Sequence, residues 1–175
     1  MGAPYRSRFR GDDKLAEGGS KPIRANLAGP NSAGRPMIQP TINYWAVLVA
    51  GVGAWIAGAV WYGVLGKHWL AALGKTKEHL MGSSGKPKPG PFVISFVADL
   101  IIAFVLAGIV GAVGAGKASI LAGIATGALM WTGFVVTTMA VNNAYAGRKT
   151  TLTVIDAGHW LLAMVVAGAI VGAFG

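Results

Sequence analysis

Three side chains able to carry a proton stand inside stretches that are otherwise apolar: Asp99, Asp156 and His159. In hydrocarbon such groups cost a few kcal/mol unless paired or hydrated, so each one demands an explanation. Asp156 and His159 are three residues apart, which puts them on one face of a helix. Asp99 lies seven residues beyond Phe92 and His159 seven beyond Leu152, each about 10 Å into its segment at helical rise. Thr137, Thr138, Asn142 and Asn143 approach the same side as their own segment ends. The expectation is a single polar layer of these seven residues in one half of a membrane. Three chemistries fit it. The groups can satisfy one another and fix helix register. They can form a proton or ion relay, or a pocket for a small polar substrate, with the Asp and His side chains as working groups. Finally, His159, beside Trp160, can serve as an axial ligand to a haem or chlorin, although no paired His on another segment offers bis-ligation.

The elements that must hold this layer are four apolar blocks at 43–65, 92–115, 118–140 and 152–174. Crossing a bilayer takes roughly 20 predominantly apolar residues as a helix, and every block reaches that length. Composition agrees: 54% of the 175 residues are hydrophobic and only 12% charged, about half the charge of a soluble domain. The fold class expected is all-α, an antiparallel four-helix transmembrane bundle over 43–175 preceded by an arm at 1–42. No length remains for a soluble catalytic domain. The absence of cysteine excludes disulfides, thiolate metal sites and cysteine nucleophiles. Three histidines among so few carboxylates speak against a multi-ligand metal site, and no Ser/His/Asp spacing suggests a hydrolase. The expected set is no catalytic residue, no metal and no cofactor, with a bound lipid or pigment as the remaining option.

The formal charge of +9 is unevenly spread. Seven of the fifteen basic residues lie in the arm and five between the first two blocks, where such charges meet headgroups or the cytoplasm. Nucleic acid is therefore not an expected partner. The arm is rich in Gly, Pro and Ser, lacks the apolar core of a signal peptide, and should not fold alone in water. Met37 is an alternative start. Counting basic residues near the blocks leaves Arg24, Arg35 and Lys117 on one side. Five between Lys67 and Lys88, plus Arg148 and Lys149, lie on the other, which places both termini outside the cytoplasm.

Aromatic residues mark the ends of the first block, Tyr44 and Trp45 before, Trp61 and Tyr62 after, as in an interfacial belt. Trp69 belongs to a short amphipathic stretch at 67–73 expected on the membrane surface, and Thr76 reads as an N-cap for another turn. Asn142 and Asn143 can cap the end of the third block. Small residues recur every four positions: Ala50, Ala54 and Gly58; Ala107, Gly111 and Ala115; Gly123 and Gly127; Gly168 and Gly172. Such stripes let backbones approach in lipid, either within one bundle or against another subunit. Residues 111–117 imitate the front of a phosphate loop, but Ala118 stands where Mg²⁺ coordination needs Ser or Thr, so the run reads as packing and a turn.

Asn43 to Ala50, the Trp61-Tyr62 pair, Gly66 to Trp69 and Ala72 to Gly74 resemble a family of small bacterial four-span proteins, domain of unknown function 1761. So do Gly133-Phe134, Thr137-Thr138, Asn142, Gly147-Arg148 and Asp156 to Leu161. The resemblance covers about 42–174 and implies a four-helix membrane fold without naming an activity. It also implies that Tyr often stands at the place of His159, which counts against a role needing imidazole there. The function expected first is a non-catalytic accessory subunit of a larger bacterial inner-membrane complex, for example a respiratory or photosynthetic one. Such a subunit would dock on other membrane proteins through small-residue faces and its arm. The alternative is a small proton- or ion-coupled transporter using Asp99, Asp156 and His159.

Overall fold

A computed structural model describes residues 42–81, 85–114 and 118–174; the arm, Ala115 and Lys117 lie outside them. Four helices are long and apolar enough to cross a membrane: Tyr44–Leu73, Pro89–Val113, Ile120–Tyr145 and Thr150–Phe174. Among the described residues the only strand-like pairing is one isolated bridge, Met81 to Pro87.

Each helix starts where the sequence supplies a cap or a constraint. Asn43 Oδ1 accepts from the N–H groups of Trp45 and Ala46 and opens the first helix. Lys88 precedes a Pro at N1 of the second, so that helix begins three residues before the expected Phe92. Ser119 Oγ accepts from Ala122 N and opens the third. The first helix does not end at Leu65. It runs unbroken to Leu73 and stops at Gly74, which takes the left-handed conformation at φ 66°. The stretch 67–73 is thus the last two turns of a helix and no separate surface segment. Leu70, 8% exposed, is what turns this extension inward. Thr76 does sit at the N-cap of a short 3₁₀ turn, Lys77–Leu80, but makes no side-chain capping bond. The third helix also outruns its expected end, reaching Tyr145 through a π-helical stretch at Trp131–Val136.

Asn43 Nδ2 donates to Phe174 O at one end of the first–fourth pair, while Tyr62 meets Asp156 at the other. Trp55 Nε1 donates to Ser95 Oγ, and Tyr44 stacks on Phe104, along the first–second pair. The fourth helix is central, packing on the first and third most heavily and on the second as well. Of its apolar window 44% is buried inside the protein, against 11% for the third helix, which rests chiefly on the fourth. The core is small-residue and aliphatic: Ala50, Ala54, Ala103, Leu106, Ala163, Ala167 and Val171.

The small-residue stripes are mostly spent inside this arrangement. Gly123 and Gly168 face each other so closely that a Cβ on either would run into the other's carbonyl. Gly127 meets the Met164 carbonyl and Gly172 the Ser119 carbonyl in the same way. Ala50, Ala54, Gly58 and Ala107 are buried and Gly111 half-buried. These positions are taken up by packing within the chain. Backbone against backbone cannot yield as side chains do. Gly168→Leu should cost more than about 3 kcal/mol and lose the monodisperse peak in detergent size exclusion. Gly63→Leu, with open space around it, should keep the peak and its melting temperature.

Candidate functional site

The polar residues of the first and fourth helices meet where the first helix leaves its apolar stretch. Tyr62 and Trp69 are seven residues apart, so both lie on the face turned to the fourth helix. Tyr62 Oη donates to Asp156 Oδ1 at 2.8 Å, and Trp69 Nε1 donates to the same oxygen at 2.9 Å. The two rings pack edge to face with centroids 5.5 Å apart. Trp61 Nε1 donates to Ile155 O at 3.1 Å, and Trp131 Nε1, from the π-helical stretch, donates to Ala157 O at 2.8 Å. Three tryptophans and a tyrosine thus bind the first turns of the fourth helix from both sides. Trp61, Tyr62 and Trp69 are half-buried and face the bundle, so they form an internal clamp where an outward belt was expected. Tyr44 and Trp45 are 72% and 76% exposed.

His159 sits one turn deeper, 7% exposed. Its ring lies 4.9 Å from that of Tyr62 and 5.0 Å from that of Trp160. Nε2 points at Gly58, where an added Cβ would lie 2.5 Å away. A haem or chlorin on that nitrogen would have to displace the first helix. Among the described residues no hydrogen bond joins His159 to Asp156 despite their shared face, and His159 Nδ1 is buried without a partner. Gly158 has the matching role toward the Trp61 ring.

Asp99 stands apart. It is 2% exposed, and its Oδ1 has no hydrogen-bond partner among the described residues. It belongs to the face Asp99, Ala103, Leu106, Ala107 and Val110 that the second helix turns into the core. Its neighbour Leu100 packs on Gly51, whereas His159 packs on Gly58 and Asp156 on Tyr62. Measured along the first helix, His159 is about 6 Å beyond Asp156, and Asp99 about 10 Å beyond His159. The expected common depth therefore does not hold for Asp99, because residues counted from a block's edge ignore how far each helix is shifted along its neighbours.

The third helix contributes less than expected. Thr137, Thr138 and Asn142 are exposed, and the Thr137 hydroxyl donates to the Gly133 carbonyl on its own helix. Asn143 alone reaches the fourth helix, donating from Nδ2 to Thr153 Oγ1 at 2.9 Å. The helix runs through both asparagines, whose backbone carbonyls accept from Ala146 and Arg148 beyond its end. Sequence reasoning missed the donors to Asp156; the seven-residue spacing of Tyr62 and Trp69 was the available signal. The seats at Gly58 and Gly158 had none, since the stripe at Gly58 says nothing about which ring fills it. Among the described residues no group of three or more potential metal ligands gathers.

Fold and site together define a multi-pass α-helical membrane protein, with four helices able to span and an aromatic clamp on a carboxylate near one end. The chain belongs to the family described as protein of unknown function, DUF1761, whose model matches residues 45–172. Neither the curated proteins nor the solved structures gave a match.

Removing the shared acceptor should be costly. Asp156→Ala leaves two half-buried donors unpaired and should lower stability by roughly 1–3 kcal/mol, read as a fall in melting temperature in detergent. Asp156→Asn keeps an amide oxygen for both donors and should lose less than half as much.

Proposed function

We propose that this protein handles protons inside the membrane, as a small proton- or ion-coupled carrier with Asp99 as its working group. The reading is supported by one observation: a carboxyl that is 2% exposed, in a face of small and aliphatic residues, with an oxygen that no described group satisfies. A structural carboxylate in lipid is expected to hold partners, as Asp156 does with Tyr62 and Trp69. An ionisable group kept there without them is an ion or proton site by default. Asp156, His159 and Asp99 descend in that order from the end of the bundle that carries Lys67, Lys149 and Arg148. Imidazole and carboxyl groups in such a series take up and release protons. The steps of about 6 and 10 Å along the helix require water between the groups.

In this reading the helices cross a bacterial inner membrane as an antiparallel bundle. The lysine-rich end faces the cytoplasm by the positive-inside rule, and both termini lie on the other side. A second reading, an accessory subunit of a larger membrane complex, draws on the third helix, which buries little of its surface and leaves Leu121, Leu129, Phe134 and Val141 exposed. In this second form the docking face is that outer surface of the third helix.

The carrier reading is tested with purified protein in liposomes holding a pH-sensitive dye. Wild type should dissipate an imposed pH gradient, and Asp99→Asn should slow this at least tenfold with its melting temperature unchanged. Wild-type liposomes no leakier than empty ones, or an Asn variant as fast as wild type, would sink it. In the latter two cases, co-purification of a stoichiometric membrane partner that Phe134→Ala weakens would favour the accessory reading.

A further inference from the structure

Above the clamp, the last turns of the first helix and the start of the fourth enclose an open groove of about 270 Å³ lined by His68, Ala71, Ala72, Lys149 and Thr151. We propose that this groove binds the phosphate of an anionic lipid headgroup. The inference does not rest on the carrier reading.

Its chemistry is one-sided. His68, from the first helix, and Lys149, from the connection just before the fourth, converge on one space, and Thr151 adds a hydroxyl donor. No carboxylate lines it. Of the three described carboxylates, Asp99 and Asp156 lie within the helices' packed faces and Glu78 is in the exposed 3₁₀ turn. Among the described residues, then, Lys149 has no carboxylate in the groove to pair with, and an outside anion can take that place. The fourth helix begins at Thr150, so its first-turn N–H groups lie beside Lys149 and Thr151 and add to the same field. The floor is the methyl surface of Ala71 and Ala72, which suits the uncharged part of a headgroup or the start of an acyl chain.

Position selects the source of the phosphate. The groove lies one turn beyond Trp69, where the first helix passes out of its apolar stretch and the third and fourth helices join through Arg148 and Lys149. A 30-residue helix is about 45 Å long, and the hydrocarbon core is only about 30 Å. The projecting turns therefore stand at headgroup depth, where anionic lipid is concentrated and a free anion must compete with it.

The test uses the full chain in mild detergent, titrated with short-chain phosphatidylglycerol and followed by native mass spectrometry. Phosphatidylcholine and inorganic phosphate form the comparison arms. Phosphatidylglycerol should be retained at one molecule per chain, with phosphatidylcholine at least tenfold weaker. Lys149→Gln should weaken retention roughly fivefold, the factor expected for one cation beside an anionic headgroup, and His68→Gln, which removes a ring N–H, should weaken it measurably. Lys86→Gln with Lys88→Gln removes two positive charges from the same end, more than either groove variant, but lies outside the groove and should leave retention unchanged. Equal loss in that control would mean diffuse attraction and overturn the site. So would displacement of the lipid by inorganic phosphate at matching concentration, which would make it a free-anion site. Both groove variants must keep the wild-type melting temperature; where one does not, Lys149→Arg, which retains the charge, should restore binding, and failure to do so overturns the proposal.

Discussion

Lipid offers helices no hydrophobic reason to associate, so the fold depends on how closely backbones can approach. The contact that sets everything else is the bare backbone seam between the third and fourth helices, where Gly123, Gly127, Gly168 and Gly172 meet carbonyls of the partner helix. No side chain intervenes, and the register of the two helices has no slack. With the third helix held on one side, the fourth can present Gly158, His159, Ala163 and Ala167 to the first and second helices on others. Its central place follows from its many small residues. So does the placement of Asp156 and His159 against Tyr62 and Gly58.

Two ways of treating a carboxylate in an apolar bundle are found in one molecule. Asp156 receives two side-chain donors on a single oxygen, from residues seven apart on a helix that continues past the expected end of its span. Charge-assisted hydrogen bonds of that kind offset much of the cost of leaving water. They also tie the projecting turns of the first helix to the fourth. Asp99 receives no such donor on Oδ1 and shares its helix's buried face with Ala103, Leu106, Ala107 and Val110. The two carboxyl groups thus differ in how their oxygens are satisfied. They differ in burial as well, Asp99 being buried and Asp156 half-buried.

How much could be read beforehand varied residue by residue. Spans were legible because length and apolarity are local properties, and the caps at Asn43 and Ser119 follow the usual residue types. Helix ends were less so. Leu73 and Tyr145 lie beyond the apolar blocks because tertiary contacts of Trp69, Leu70 and Asn143 support turns whose hydropathy alone would not. Of the residues expected in the polar layer, Asp156 and His159 lie near Tyr62, while Thr137, Thr138 and Asn142 are exposed and Asn143 bonds Thr153. Thr hydroxyls can return to their own helix's carbonyls, as Thr137 does, so their polarity did not force them inward.

By itself the sequence determined the class of protein, four apolar helices joined by short connections, because hydrocarbon requires every backbone polar group to be satisfied within its own segment. It also determined which ionisable groups would be out of water. Only the tertiary structure decided which of them are partnered, which lie at the same depth, and which glycine stripes are used up. Those outcomes depend on the axial shift between helices, a quantity fixed by backbone contacts at glycines far apart in the chain and written in no local pattern.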